Sequence, residues 1–206
     1  MDIADVDPDG LADGNSSAGA TLTLDGALTS VGTFTSADGL AHRLSVLDLG
    51  ADNQAGATYT ITGTDASGAA LVEALTGPGA SATVTTTGYF LTVSSVAIDT
   101  PVAGSTVDMG TVDEIVSRMI PLNWRGGTVA LNFTVTGTLS YTVQQTTDNL
   151  RVAGPFNWIS VDDTDLVTAT TSQNGSFTAV PTAFRVVINS YTTGAELALN
   201  MVQSDV

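Results

Sequence analysis

The chain has 206 residues, with 21 acidic residues against five basic ones and a formal net charge of −16. It contains one histidine, His42, and neither cysteine nor lysine, so it cannot supply thiol nucleophiles, Schiff-base amines or thiolate metal ligands. A charge of this sign and size repels nucleic-acid phosphates and anionic membranes. We therefore expect no nucleic acid and no membrane as a partner.

The first half of the chain is rich in threonine and valine, which favour strands and predict an all-β fold. Asp25-Gly26 lies between two alternating runs and predicts a hairpin over residues 21–31. Period-two alternation predicts the next strands at residues 40–49, 58–64, 69–76, 81–87, 89–98 and 106–112.

The stretch 113–122 contains no glycine, and this change of composition predicts a domain boundary, with a short helical turn over residues 113–120. Beyond it we expect strands at residues 129–136 and 139–145 that form a hairpin around Gly137-Thr138. Further strands are predicted at residues 156–161, 166–171, 176–179, 184–190 and 196–202. We therefore predict two small antiparallel β domains, residues 20–116 and 117–206, each a sandwich, jelly roll or barrel.

Residues 1–19 are mostly Asp, Gly, Ser and Ala, which predicts a flexible N-terminal arm. Within it, Asp5-x-Asp7-x-Asp9-Gly10 begins like an EF-hand calcium loop, but position twelve is Ser16 rather than glutamate. Clustered carboxylates in Asp162-Asp163-x-Asp165 could also bind Ca²⁺, although an exposed loop is the simpler interpretation. The sequence predicts no metal site and leaves calcium binding by these loops open.

The residues that could carry catalysis are few. His42 alternates with apolar strand residues, which favours a place at a surface or interface, and no G-x-S-x-G nucleophile motif occurs. The three glutamates, Glu73, Glu114 and Glu196, do not lie in the aromatic-rich segments that grip sugars. We therefore expect a protein that is not an enzyme and has neither catalytic residues nor cofactors.

A candidate interface lies near the predicted boundary, where Arg118, Trp124 and Arg125 are followed by two glycines. Tryptophan and arginine are enriched among the residues that dominate protein–protein binding. The sequence therefore predicts a docking patch here, with an alternative in which Trp124 packs on the second core and the arginines are solvated.

The second half of the chain contains a set of strand and turn stretches at residues 119–122, 131–148, Asn157-Trp158, Asn174-Gly175, 183–186 and 197–203. Through these stretches, residues 119–203 resemble a β domain of tailed-bacteriophage virion structural proteins. The pattern of that family is a T-x-T-V-Q strand, a tryptophan two-thirds along and a final V-x-Q strand. Many relatives carry tryptophan before the Ile-Pro pair, where this chain has Met119. Residues 57–111 also look like phage structural sequence, so the similarity covers most of the chain.

The resemblance implies a virion role, and a head decoration or cement protein is the role that we favour. Such a protein is made in the host cytoplasm, binds the outer capsid surface and stabilises joints between subunits of the major capsid protein. We also expect it to associate with itself as a dimer or trimer. Three alternatives stay open: a tail, neck or fibre-attachment component, a module that binds host glycan, and an enzyme such as a depolymerase.

Overall fold

The computed structural model describes residues 3–123, 127–152, 155–177 and 179–204. In these ranges the protein consists of antiparallel β-sheets, and helical structure is confined to one 3₁₀ turn, Thr164–Leu166. The predicted all-β class is confirmed. The chain divides into an N-terminal unit, residues 6–115, and a C-terminal unit that runs from Val116 onward and includes residues 3–5.

The N-terminal unit contains two antiparallel sheets. One has the strand order β3-β4-β9-β6-β7 with β2 paired to β9, and the other has the order β10-β5-β8 with β1 paired to β10. The strands are β1 Ala12–Ser16, β2 Thr21–Leu22, β3 Thr29–Ser30, β4 Thr33–Thr35, β5 Ala41–Asp48, β6 Thr58–Thr64, β7 Ala70–Thr76, β8 Thr83–Thr85, β9 Thr92–Ile98 and β10 Thr106–Val116.

The core of this unit follows from the period-two pattern of its strands. Along β6, Tyr59 and Ile61 are fully buried while the threonines between them are partly exposed, because successive side chains point to opposite faces of a sheet. They pack with buried residues of other strands, among them Phe34, Val96 and Met109. The sheet that contains β6 therefore has an inner apolar face and an outer face that is partly exposed.

A flexible arm was predicted for residues 1–19, and the structure differs from that prediction over the described residues 3–19. Leu11 is fully buried, its N–H donates to the carbonyl of Met109 at 2.8 Å, and β1 pairs with β10. The segment before β1 lies so close to β10 that a Cβ atom on Gly110 would meet the Asp7 carbonyl oxygen at 2.0 Å. This segment is held against β10 by a few buried apolar residues and by backbone hydrogen bonds. Such contacts need no apolar periodicity, and the sequence pattern therefore did not reveal them.

The predicted hairpin at Asp25-Gly26 is wrong. β2 pairs with β9, and the hairpin lies one strand further on, where β3 and β4 are joined by Val31-Gly32. A Cβ atom on Gly26 would meet the Gly10 carbonyl oxygen at 2.4 Å. Glycine at this position therefore lets the backbone at residue 26 approach the backbone at residue 10 closely. The predicted helical turn after residue 113 is also wrong, since β10 continues as a strand to Val116.

The C-terminal unit is built from two further sets of paired strands. One has the order β14-β13-β16 with β11 paired to β16, and the other is a three-stranded sheet, β15-β12-β17. The strands are β11 Ile120–Pro121, β12 Val129–Thr136, β13 Leu139–Thr146, β14 Ile159–Ser160, β15 Gln173–Phe177, β16 Ala183–Tyr191 and β17 Glu196–Gln203.

The strands β12 and β13 have nearly the predicted bounds, but the predicted hairpin between them is wrong. β12 pairs with β15 and β17, whereas β13 pairs with β14 and β16. The turn at Gly137, with φ of 77°, carries the chain from one sheet to the other. The two sheets meet through aromatic contacts, with ring centroids 5.0 Å apart for Phe133 and Tyr141 and 5.7 Å apart for Phe177 and Phe184.

Candidate interaction surface

The predicted docking patch is described only in part. Arg118 is exposed in the segment between β10 and β11. Trp124 and Arg125 lie outside the described residues, so the patch stays a prediction.

A second arginine and tryptophan meet on the C-terminal unit, in what we call the Trp158 cluster: Trp158, Arg185, Phe156 and Gln144. The Arg185 guanidinium carbon lies 4.5 Å from the centroid of the Trp158 ring, and its Nε donates to the Gln144 side-chain oxygen at 2.8 Å. Phe156 meets the indole edge-on, with centroids 6.4 Å apart. All four residues are partly exposed, so a preorganised cation–π pair lies at the surface.

The strand register positions this cluster. Arg185 on β16 lies opposite Gln144 on β13, and β14, which directly follows Trp158, pairs with the same end of β13. Ile159, the residue after Trp158, is 51% exposed, and Val152, six residues before Trp158 in sequence, is 60% exposed. Sequence reasoning missed the cluster because Trp158 and Arg185 are far apart in the chain and meet only through the pairing of three strands.

His42 does not have the environment of a catalytic base. Its side chain is 2% exposed, and Nε2 lies 3.2 Å from a carboxylate oxygen of Asp38. The nearby hydroxyl of Ser36 donates to the Asp38 carboxylate at 2.5 Å rather than to the imidazole. A nucleophilic serine must donate to the histidine, so this order of contacts favours a structural role in anchoring the loop before β5.

Asp48 is the centre of a buried polar network at the end of β5. The Gln54 side-chain amide and the Ser105 hydroxyl each donate to Asp48 Oδ1 at 2.8 Å, and the Ser81 N–H donates to Oδ2 at 3.0 Å. The Tyr59 hydroxyl donates in turn to the Gln54 side-chain oxygen. Asp48, Gln54, Tyr59 and Ser105 are each at most 1% exposed, so no substrate can reach the carboxylate without local unfolding.

The titration of this network follows from its bonds. Burial by itself would raise the pKa of Asp48, but the hydrogen bonds from Ser81, Gln54 and Ser105 outweigh burial and lower that pKa below its usual value. Burial, together with the negative charge of Asp48, raises the pKa of Tyr59 to about 12. The network holds an ionised carboxylate beside a neutral phenol, which suits packing.

Two of the three glutamates bind other parts of the N-terminal unit. Glu114 accepts a hydrogen bond from Arg43 Nη1 at 2.5 Å and another from the Tyr89 hydroxyl. Glu73 accepts from the N–H groups of Thr87 and Gly88 at 2.7 and 2.8 Å. Both carboxylates are thus used to join strands and loops.

The two acidic motifs differ in their surroundings. Burial and the carboxylate of Asp9, followed by the charge of Asp13, raise the pKa of Asp7. Ser16, the residue at the twelfth position of the calcium-loop pattern, lies in β1. Asp163 caps the 3₁₀ turn by accepting from the Asp165 N–H at 3.1 Å, beside a pocket of about 150 Å³. Among the described residues, no three His, Asp or Glu side chains are arranged to hold a metal ion.

Comparison with known proteins identifies no relative: no family model, curated protein or solved structure matches the chain. Within the described ranges, no helix is long and apolar enough to cross a membrane.

Proposed function

We propose that this chain is a structural protein of a tailed-phage virion, most specifically a head decoration or cement protein that binds the outer surface of the major capsid protein. The observation that carries the proposal is the Trp158 cluster. It exposes a tryptophan, a phenylalanine and an arginine in the part of the chain that resembles phage virion domains. Such side chains contribute most of the binding energy in protein interfaces.

The interior of the molecule supports the same proposal. The groups that an enzyme would need to expose, such as the Asp48 carboxylate and the His42 imidazole, are enclosed. Their hydrogen bonds join loops to strands and stabilise the folded units.

The mechanism that we propose is mechanical. The protein lies across joints between capsid subunits, buries surface on both sides and so raises the free energy needed to separate them. A typical interface of roughly 1,600 Å² supplies this at each site, and many symmetric copies add their contributions through avidity. The net charge of −16 suits an outer surface better than contact with packaged DNA.

The test is the copy number and position of the chain in purified particles, measured by cryo-electron microscopy and quantitative gel densitometry. We expect hundreds of copies distributed over the shell. A few to tens of copies at the tail vertex would contradict the decoration role and favour a neck, tail or fibre-attachment component. Absence from the particles would contradict any virion role.

A glycan-binding module is a second candidate, because the partly exposed Trp158 and Phe156 rings are surfaces on which sugars can stack. In this case a host glycan would bind the purified protein with measurable affinity, and Trp158→Ala would abolish the binding. Glycan-array binding that Trp158→Ala leaves unchanged would contradict it.

A further inference from the structure

The outer face of the β3-β4-β9-β6-β7 sheet is unusual for so acidic a chain. On β6, the outward residues are Thr58, Thr60, Thr62 and Thr64. Register places small neutral residues beside them on β7 and β9, such as Val72 and Ser95 on either side of Thr62. We call this surface the threonine face: Thr21, Ser30, Thr33, Thr35, Thr58, Thr60, Thr62, Thr64, Ala70, Val72, Ala74, Thr76, Thr92, Ser94, Ser95 and Ala97.

The sixteen residues of the threonine face are uncharged, although the chain has 21 acidic and five basic residues. At one end of the face, the carboxylate of the exposed Asp99 accepts from the Thr58 N–H at 2.7 Å. Its members on β7 and most of those on β9 and β4 are exposed, and those on β6 are partly exposed, so water reaches the face within this chain. Depletion of charge is the compositional mark of the centre of a protein interface. Glu73, the one charged residue of β7, points to the opposite face, where it binds Thr87 and Gly88.

The net charge of the chain also indicates which partner fits the threonine face. Two copies of a chain with a net charge of −16 repel each other wherever acidic surfaces approach. A face with an uncharged centre gives a second copy a surface that it can contact there without placing carboxylates against carboxylates. A strongly basic partner, in contrast, would gain most at the acidic surfaces and would gain little here.

The size of the face sets the expected strength. The strands of this sheet, β2, β3, β4, β6, β7 and β9, contain 28 residues together. At about 3.4 Å per residue and about 4.8 Å between strands they cover roughly 450 Å² on each copy. Two such faces bury close to the lower limit of about 1,000 Å² for a specific interface. The contact is therefore weak for an isolated pair and becomes effective in an array of many copies.

We propose that the threonine face packs against the same face of a second copy across a two-fold axis, as in the aligned packing of two sheets. This inference deepens the proposed function and rests on it, since it names the surface by which a virion protein of this kind associates with itself. Small side chains allow the two sheets to approach closely, and the threonine methyl groups supply the apolar contact.

The first experiment follows the mass of the purified chain by sedimentation equilibrium from about 10 μM to about 1 mM, a range that detects weak association. We expect a shift from monomer toward dimer. The shift should grow between 0.1 M and 1 M NaCl, because the screening length falls from about 10 Å to about 3 Å and the repulsion between copies weakens. An interface held by salt bridges would weaken instead, and that result would contradict the inference.

The second experiment uses Thr62→Arg, at the centre of the face, and Thr134→Arg as the matched control on the exposed side of β12. Each substitution reduces the negative charge of the chain equally, so repulsion between copies falls in both. We expect Thr62→Arg to abolish dimer formation, since two arginines would meet near the axis, and Thr134→Arg to leave it unchanged. Thermal melting and near-ultraviolet circular dichroism verify that both variants fold.

A wild-type chain that stays monomeric at about 1 mM and 1 M NaCl would overturn the inference, as would a dimer that survives Thr62→Arg. If the purified chain stays monomeric but the threonine face is protected when the chain is bound to particles, the partner of that face would be the capsid protein. These measurements use purified protein without particles, so their failure is separate from that of the copy-number test.

Discussion

A carboxylate as buried as that of Asp48 stays ionised only where donors replace the water that it loses. Asp48 receives donors from three segments: Ser81, Gln54 and Ser105. Each donor comes from a loop or a strand end, so one side chain fixes the relative positions of several connections. This explains why an acidic residue at the end of a strand is only 1% exposed in a chain that has no cysteine and therefore no disulfides.

Replacement of Asp48 by asparagine tests this role. Asp48→Asn turns an acceptor into an amide that faces other donors, so we expect the free energy of unfolding at pH 7 to fall by about 2 kcal/mol. The folded-state pKa lies below the usual 3.8. The charge of Asp48 therefore contributes stability above about pH 3.8, and this contribution is lost as pH falls through the folded-state pKa.

Urea denaturation of both proteins from pH 7 down to pH 2.5 is the measurement. The difference in free energy of unfolding between the wild type and Asp48→Asn should narrow below about pH 4, because the wild type loses the stabilisation by the ionised Asp48 there. The control is Asp52→Asn, at an exposed residue of the loop that follows β5. It should change the free energy of unfolding by less than about 0.5 kcal/mol. A constant difference across this pH range would contradict the assigned role.

Val31 has a backbone conformation that is unfavourable for valine. It lies in the two-residue turn between β3 and β4 with φ of 53°, and its side chain is 101% exposed. A β-branched residue is disfavoured in this left-handed region, whereas asparagine tolerates it and is preferred in such turns. We expect Val31→Asn to raise the free energy of unfolding by about 1 kcal/mol, measured by urea denaturation.

Val72→Asn is the matched control, because Val72 is an exposed valine within a strand and has no positive φ. This variant should lose stability or leave it unchanged, since asparagine is depleted in strands. Equal or lower stability in Val31→Asn would show that the turn is not strained by its valine.

At the scale of elements, Glu73 joins β7 to the segment that follows β8. Its carboxylate accepts three hydrogen bonds, two from Thr87 and one from the Gly88 N–H. A Cβ atom on Gly88 would lie 2.8 Å from Glu73 Oε2, so a side chain there would displace the Glu73 carboxylate. The Glu73 side chain therefore holds the backbone of the loop after β8, whose position strand pairing alone does not fix.

Glu73→Gln should free this loop. The glutamine amide cannot accept from every donor, so we expect amide hydrogen exchange at Thr87 and Gly88 to accelerate and the free energy of unfolding to fall by about 1 kcal/mol. Glu196→Gln, on an exposed residue at the start of β17, should change neither. Unchanged exchange at Thr87 and Gly88 in Glu73→Gln would contradict the contact.

Strand existence and strand pairing have different origins in this chain. The alternation over residues 58–64 and 129–136 predicted β6 and β12 with the observed bounds, because the side-chain period of two is a local property. The same alternation cannot select a partner. The hairpin predicted around Gly137-Thr138 failed because both flanking strands bury one face, and each does so in a different sheet.

At the scale of the whole molecule, a charge of −16 must be distributed around two apolar cores. The threonine face shows that this distribution is uneven, since the centre of a sheet face has no charged residue. The proposed decoration role uses both features. Acidic surface keeps copies apart in solution, and neutral or aromatic surface gives them places to bind.

The sequence by itself determined the all-β class, most strand positions and the chemistry that the chain lacks, because composition and period-two alternation are local. The tertiary structure alone decided that residues 12–16 join a sheet and that Trp158 meets Arg185. It also decided that Thr62 lies between Val72 and Ser95. These features depend on which strands pair and in what register, and pairing is chosen by the burial of distant side chains together rather than by any one segment.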